Sequence, residues 1–190
     1  MGVLFSGVAE LIEVASETML QNEVTVETAL ILAKCWSASQ EDEERLTFAS
    51  EHLEQCWPIL QTLAQSSLPG CRWQVYEAIV GAGPAAESIL RRGILDEDQY
   101  GRRRALLSLA RIRPSDAQIL AESFVRDSDP YMRQAAIDMI LAAVDLGFQR
   151  EALSLLRADS VEHVRKAAET EWQRIRGKRE EVSLCHEQPH

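Results

Sequence analysis

Aspartate and arginine recur together at a fixed spacing in the second half of this sequence. Asp127 lies six residues before Arg133, and Asp159 lies six residues before Arg165. A carboxylate and a guanidinium can form a perturbed pair in an active site, or they can join neighbouring segments through charge-assisted hydrogen bonds. Because an active site is used once and these pairs recur, we interpret the four residues as structural.

Residue types that serve metal binding or nucleophilic catalysis are present without the spacing that such sites need. The four histidines form no i, i+4 pair on any predicted helix, and the four cysteines show no C-x2-C spacing. We find no glycine-rich phosphate loop and no His-Glu-x-x-His motif. The sequence therefore predicts no catalytic residue, no metal site and no cofactor.

Charge is distributed unevenly along the chain, which has a formal net charge of −10. Residues 1–90 contain three cationic and 13 acidic side chains, whereas residues 91–190 contain 17 of each. A surface with the balance of the first half repels nucleic-acid phosphates and attracts basic proteins. We therefore expect a protein partner, of basic character, and we disfavour nucleic acid.

Two acidic groups in the first half are candidate partner-binding residues. The first group lies on one face of a predicted helix and the second crowds the start of another. Negative charge at a helix start also has a bland explanation in the helix dipole and in ordinary solvation. Both interpretations stay open. The residues are Glu10, Glu13, Glu17, Glu41, Asp42, Glu43 and Glu44.

Helices must position all of these residues, because apolar side chains recur at steps of three and four and no segment alternates with period two. The fold class is therefore all-α. Pro58 should divide one apolar segment into two helices, since proline is tolerated in a first turn but not in a helix interior. The predicted helices cover about 3–20, 24–37, a segment around 46–56, 58–66, 71–80, 84–92, 100–112, 115–125, 130–146, 148–156 and 161–175.

The later helices form a repeat. Residues 127–136 superpose on residues 159–168 at an offset of 32, matching the Asp, the Arg and a pair of alanines. The same marker arginine recurs at 72 and 103, with Arg104 as a rival register for the second copy. A period of 30 to 32 residues holding two short helices is typical of an α-solenoid, whose units bury their apolar faces by stacking.

The motif Asp-x5-Arg-x-x-Ala at a helix start resembles the HEAT repeat, particularly its short bacterial variety. The resemblance implies a right-handed α-solenoid in which Asp127, Arg133, Asp159 and Arg165 belong to a ladder between successive repeats. It covers residues 69–178, and residues 179–190 are expected to be a polar tail. Residues 1–68 lack the marker, and they form either degenerate repeats or an N-terminal helical cap.

The expected function follows from the architecture. Solenoids present an extended surface that typically holds another protein, so we predict a non-enzymatic protein-binding module. A small acidic bacterial protein of this type is similar to immunity proteins, which neutralise basic toxins. The alternative is an enzyme, since HEAT-like repeats also occur in alkylpurine DNA glycosylases and bilin lyases. We expect a cytoplasmic protein without a membrane segment, and the sequence does not indicate its oligomeric state.

Overall fold

The computed structural model describes residues 26–38, 47 and 49–186. Nine α-helices and two short 3-10 helices have their bounds within these residues, residues 47 and 49–51 are also helical, and no described residue is in a strand, which confirms the all-α fold class. In chain order the helices are α1 (Val26–Ala38), α2 (Leu53–Leu63), α3 (Pro69–Ala78), α4 (Glu87–Gly93), α5 (Gln99–Ile112), α6 (Ala117–Phe124), α7 (Pro130–Ala142), α8 (Leu146–Leu156) and α9 (Glu162–His186).

The chain divides into two compact units between Ile112 and Arg113. The predicted boundary after residue 68, between the N-terminal segment and the repeats, stays a prediction. In the first unit, α1 packs against α2 and α3, and α5 packs against α3 and α4. Its largest fully buried side chains are Leu32, Ile59, Leu60, Leu63, Ile79, Leu90, Leu106 and Leu109.

The second unit contains α6 to α9 and has its own core. Helix α7 packs against α6, α8 and α9, and α8 also packs against α9. Helix α7 is the central helix of this unit, because it buries its apolar surface against three neighbouring helices. Its fully buried side chains include Met132, Met139, Ile140, Leu153, Val164 and Ala168.

Capping residues explain where the helices of the second unit begin. The Asp129 carboxylate accepts a hydrogen bond from the Tyr131 amide at 2.9 Å, and the Asp145 carboxylate accepts from the Gly147 amide at 2.7 Å. Asp145 thus starts α8 inside the segment predicted as one helix over 130–146. That prediction is wrong at its end, since the backbone is already extended at Ala143.

Pro58 lies inside α2, so the predicted division of this segment at Pro58 is wrong. The chain departs from helical geometry earlier, at His52, where φ is −112° and ψ is 35°. Proline removes one main-chain donor and crowds the carbonyl four residues before it. We attribute the continuity of α2 to the apolar face that it buries, formed by Cys56, Ile59 and Leu60.

The segment predicted as a helix over 84–92 is divided. A 3-10 helix covers Ile79–Ala86, and α4 begins at Glu87. Gly83 has a φ of 55° within this stretch, a conformation that side chains with a Cβ rarely adopt. At the other end of the chain, α9 continues to His186, through most of the segment expected to be a polar tail.

The burial pattern repeats along α3, α5 and α7, and it fixes the register of the repeat. The same five positions are buried in each copy, the last position of the first copy being Ile79 directly after α3, and a marker arginine follows the first of the five. The buried sets are 71, 75, 76, 78 and 79; 101, 105, 106, 108 and 109; and 132, 136, 137, 139 and 140.

The second marker arginine is therefore Arg102. The predicted Arg103 lies one position after it, and the rival Arg104 lies two positions after it. Asp96 lies six residues before Arg102, as Asp127 lies six before Arg133. Three consecutive arginines made the spacing ambiguous in sequence. The buried Gly101, at the position of Met132 in α7, resolves it.

Candidate binding site

Arg72 joins two segments of the first unit. Its Nε and Nη2 donate to the two carboxylate oxygens of Asp96 at 2.7 and 2.6 Å, and its Nη1 donates to the Ser66 carbonyl at 2.8 Å. The Asp96 carboxylate also accepts from the Tyr76 hydroxyl at 2.8 Å. Burial opposes ionisation of Asp96, but these donors prevail and hold its pKa below the ordinary value.

Arg133 makes the same contacts in the second unit. Its Nε and Nη2 donate to Asp159 at 2.6 and 2.9 Å, and its Nη1 donates to the Asp127 carbonyl at 2.7 Å. The hydrogen bond from Arg133 is the main reason that the pKa of Asp159 is lowered. The Asp96 carboxylate accepts four hydrogen bonds and that of Asp159 accepts three, so each pair joins separate segments of its unit through charge-assisted contacts.

Within the second unit, the four ladder residues are connected as follows. Asp127 contributes its carbonyl to Arg133, while its carboxylate accepts from the Asp129 amide at 2.7 Å. Arg165 donates from Nη1 to the carbonyls of Asp159 and Ser160, each at 2.8 Å. The side chains of Arg72 and Arg133 therefore each contact the aspartate of the following marker.

A partly exposed cluster lies where α3 packs against α5, and we call it the aromatic cluster. It consists of Trp73, Glu77, Tyr100 and Arg104. The rings of Trp73 and Tyr100 meet edge to face, with their centroids 5.1 Å apart. The Arg104 guanidinium carbon lies 4.8 Å from the Tyr100 ring centroid and 5.7 Å from that of Trp73. Aromatic faces attract a guanidinium at these distances.

Arg104 is held by hydrogen bonds as well as by the rings. Its Nη1 donates to Glu77 Oε1 at 2.6 Å, and its Nη2 donates to the Tyr100 hydroxyl. The side chains of Arg104 and Glu77 are 30% and 21% exposed, and Tyr100 is 41% exposed. The four side chains are thus fixed in position while part of their surface remains accessible.

The local sequence explains how the cluster forms. Trp73 and Glu77 lie four residues apart on α3, and Tyr100 and Arg104 lie four residues apart on α5, so each pair shares one helix face. Packing of α3 against α5 brings the two faces together. Tyr100 and Arg104 were not predicted as site residues, because their spacing in sequence reveals a shared helix face but not which helix packs beside it.

A second aromatic pair occupies the corresponding position of the second unit. Tyr131 lies two residues before Arg133, as Tyr100 lies two residues before Arg102. The Tyr131 ring stacks on His163, with centroids 5.0 Å apart and an interplanar angle of 24°. Tyr131 is 46% exposed. Partly exposed aromatic side chains near the helix starts therefore recur in both units.

The acidic residues expected to bind a partner lie outside the described part of the chain. They are Glu10, Glu13, Glu17, Glu41, Asp42, Glu43 and Glu44. Their role as a docking surface or as a solvated face stays a prediction.

Other reactive groups have structural surroundings. Cys71 is fully buried, and burial raises the pKa of its thiol to about 12. A thiol that stays protonated is a poor nucleophile. An open cleft of about 330 Å³ lies between α1 and α2, lined by Leu30, Ala33, Thr62, Leu63, Gln65, Ser66 and Ser67. None of these lining side chains is ionisable.

Across residues 26–38, 47 and 49–186, no group of three His, Cys, Asp or Glu side chains is placed to hold a metal ion. None of the helices there has the length and apolar character needed to cross a membrane. Comparison with family models, with curated proteins and with solved structures finds no match to this chain.

Proposed function

We propose that this protein is a non-enzymatic module that binds another protein, and that the aromatic cluster is part of its contact surface. The observation that carries the proposal is the fixed, partly exposed arrangement of Trp73, Tyr100 and Arg104. Tryptophan, tyrosine and arginine are the residue types most enriched at the energetic centres of protein interfaces.

Rigidity of the cluster favours binding. Ordering a long side chain in an interface costs about 0.5 to 1.5 kcal/mol for each one that is free beforehand. Arg104 is already held by Glu77 and by two rings in the unbound chain. A partner that contacts this guanidinium therefore meets a side chain whose rotamers are largely fixed.

The partner in this proposal is a basic protein, of the kind that immunity proteins neutralise. The support is electrostatic, since residues 1–90 contain 13 acidic and three cationic side chains. Glu10, Glu13, Glu17, Glu41, Asp42, Glu43 and Glu44 would provide attraction over distance. The aromatic cluster would provide short-range contact, because Glu77 offsets the charge of Arg104.

We extend the proposal to the architecture: the helix pairs are HEAT-like repeats of a right-handed solenoid, preceded by an N-terminal cap. Support comes from the buried positions shared by α3, α5 and α7, and from the matching contacts of Arg72 and Arg133. Terminal segments without the marker are common in repeat proteins, because they cover the end of the core.

The proposal is tested by comparing three versions of the protein as bait in affinity purification from the native host. The versions are the wild type, the double variant Tyr100→Ala with Arg104→Ala, and Arg111→Ala. Arg111 is exposed on the same helix and serves as the matched control. We expect one basic protein to be recovered with the wild type and the control but depleted with the double variant. Equal recovery by all three baits would contradict the proposed site.

A further inference from the structure

Arg165, the last marker arginine of the second unit, makes only part of the contacts that Arg72 and Arg133 make. Arg72 and Arg133 each use Nη1 for loop carbonyls and use Nε and Nη2 for an aspartate of the following marker. Arg165 makes the carbonyl half of this pattern, through the oxygens of Asp159 and Ser160. Within the described residues, no acceptor lies at its Nε or Nη2.

Carboxylates near Arg165 on its own helix have other partners. Glu162 accepts from Lys166 Nζ at 2.7 Å, and Glu171 pairs with Arg174 Nε. Glu169, one turn after Arg165, accepts from Arg157 Nε and from Gln173 Nε2. The hydrogen bond from Gln173 and that from Arg157 lower the pKa of Glu169, so this carboxylate is stabilised in its existing contacts. Among the described side chains of α9, no carboxylate is therefore paired with Arg165.

The two occupied positions define what an arginine in this setting binds. In each, one carboxylate meets two parallel N–H donors, and the same carboxylate accepts a main-chain amide two residues further along its own chain. Asp96 accepts from the Asp98 amide at 2.9 Å, and Asp159 accepts from the Val161 amide at 2.8 Å. A short aspartate side chain in a turn before a helix satisfies both conditions, and a planar guanidinium suits its two oxygens.

We infer that Arg165 is a receptor for the carboxylate of an aspartate that precedes a helix on a partner protein. Charge complementarity and the two occupied copies of the same arrangement identify this ligand. A second copy of this chain could continue the stack only with its own first marker, that of Arg72. This fits less well, because Ser66 occupies the position at which the other markers have an aspartate. A serine has one side-chain oxygen and no charge, whereas the two parallel N–H groups of a guanidinium match the two oxygens of a carboxylate.

This inference goes beyond the proposed function, because it concerns the second unit and different residues. Arg165 can bind an aspartate even if the aromatic cluster binds no partner, and the aromatic cluster can bind a partner even if Arg165 binds no aspartate. The two proposals therefore fail separately in experiments.

The test uses a fluorescent synthetic peptide with the sequence of residues 157–176, which contains an aspartate before a helix, and a second peptide in which Asn replaces that aspartate. Binding to the full-length protein is measured by anisotropy. We expect the aspartate peptide to bind at least about tenfold more tightly than the asparagine peptide. Arg165→Gln should abolish that difference, whereas Arg126→Gln, a change at an exposed arginine of the same unit, should preserve it.

Three results of the peptide experiment would overturn the inference. They are the absence of saturable binding of the aspartate peptide, equal affinity for the two peptides, and a preference for aspartate that persists in Arg165→Gln. Comparison of the two peptides on the wild-type protein requires no variant, so misfolding of Arg165→Gln would not decide the outcome. Light scattering that shows a wild-type dimer and a monomeric Arg165→Gln would assign the site to a second copy and would also overturn it.

Discussion

At the scale of single residues, the guanidinium of Arg133 binds both oxygens of Asp159 and two carbonyls of its own loop. Its side chain is 12% exposed, and that of Asp159 is 8% exposed. Removal of one partner leaves the other buried without its hydrogen bonds, which costs more than the pair contributes net. Arg133 is therefore expected to matter for the stability of the fold.

We predict that Arg133→Ala lowers the free energy of unfolding by about 1 to 3 kcal/mol. Arg126→Ala is the matched control, because Arg126 is exposed in the same unit, and its effect should stay within about 0.5 kcal/mol. Urea unfolding followed by circular dichroism measures both variants. Equal effects of the two substitutions would mean that the contacts of Arg133 do not stabilise the fold.

The lowered pKa of Asp159 predicts how this stabilisation depends on pH. Its pKa in the folded protein lies below the ordinary value of 3.8, so the ionised form is preferred in the fold. The stabilisation is complete well above pH 3.8 and is lost as the pH falls through the folded pKa. The difference in unfolding free energy between wild type and Asp159→Asn should therefore be largest near pH 7 and narrow in acid. A difference that is constant down to pH 3 would contradict this.

At the scale of elements, the approach of α4 to α5 depends on a residue without a side chain. A Cβ placed on Gly93 would lie 2.7 Å from the Ala105 Cβ and 2.9 Å from the Tyr76 ring. The Ala105 Cβ is fixed to the backbone of α5, so the helices would have to separate. The gain in helix propensity from alanine, about 1 kcal/mol, is smaller than the cost of overpacking a core.

We predict that Gly93→Ala destabilises the protein by about 1 to 3 kcal/mol. Gly81→Ala is the control, because its added Cβ would meet only the flexible end of Leu53 at 3.3 Å. Thermal unfolding of the two variants separates the contributions. If Gly93→Ala unfolded at the wild-type temperature or above it, the close packing of α4 and α5 would be refuted.

Element types were more predictable from the sequence than element ends or contacts. Apolar periodicity identified the helices because each buries one stripe, and α5 agrees with the predicted 100–112 segment to within one residue. Apolar periodicity could not show that the helix is interrupted at His52 and not at Pro58. Burial of the apolar face of α2 outweighs the tendency of proline to end a helix, so α2 continues through Pro58. The aromatic cluster was beyond sequence reasoning, since it requires the pairing of α3 with α5 and the correct register of the three arginines.

At the scale of the whole molecule, the net charge of −10 arises entirely from residues 1–90. If these carboxylates attract a basic partner, they should speed its encounter more than they strengthen the final complex. We predict that changing Glu41, Asp42, Glu43 and Glu44 together to Lys slows association with the purified partner at low salt, and that the effect shrinks at high salt. An unchanged rate would leave these residues as a solvated helix surface.

Binding through the aromatic cluster is the central claim, and the affinity of the purified partner tests it most directly. Calorimetry would compare the wild type with Tyr100→Ala, using Arg111→Ala as the control, after circular dichroism has shown that all three are folded. We predict that Tyr100→Ala raises the Kd by about tenfold or more while Arg111→Ala leaves it unchanged. The same Kd for wild type and Tyr100→Ala would contradict the account.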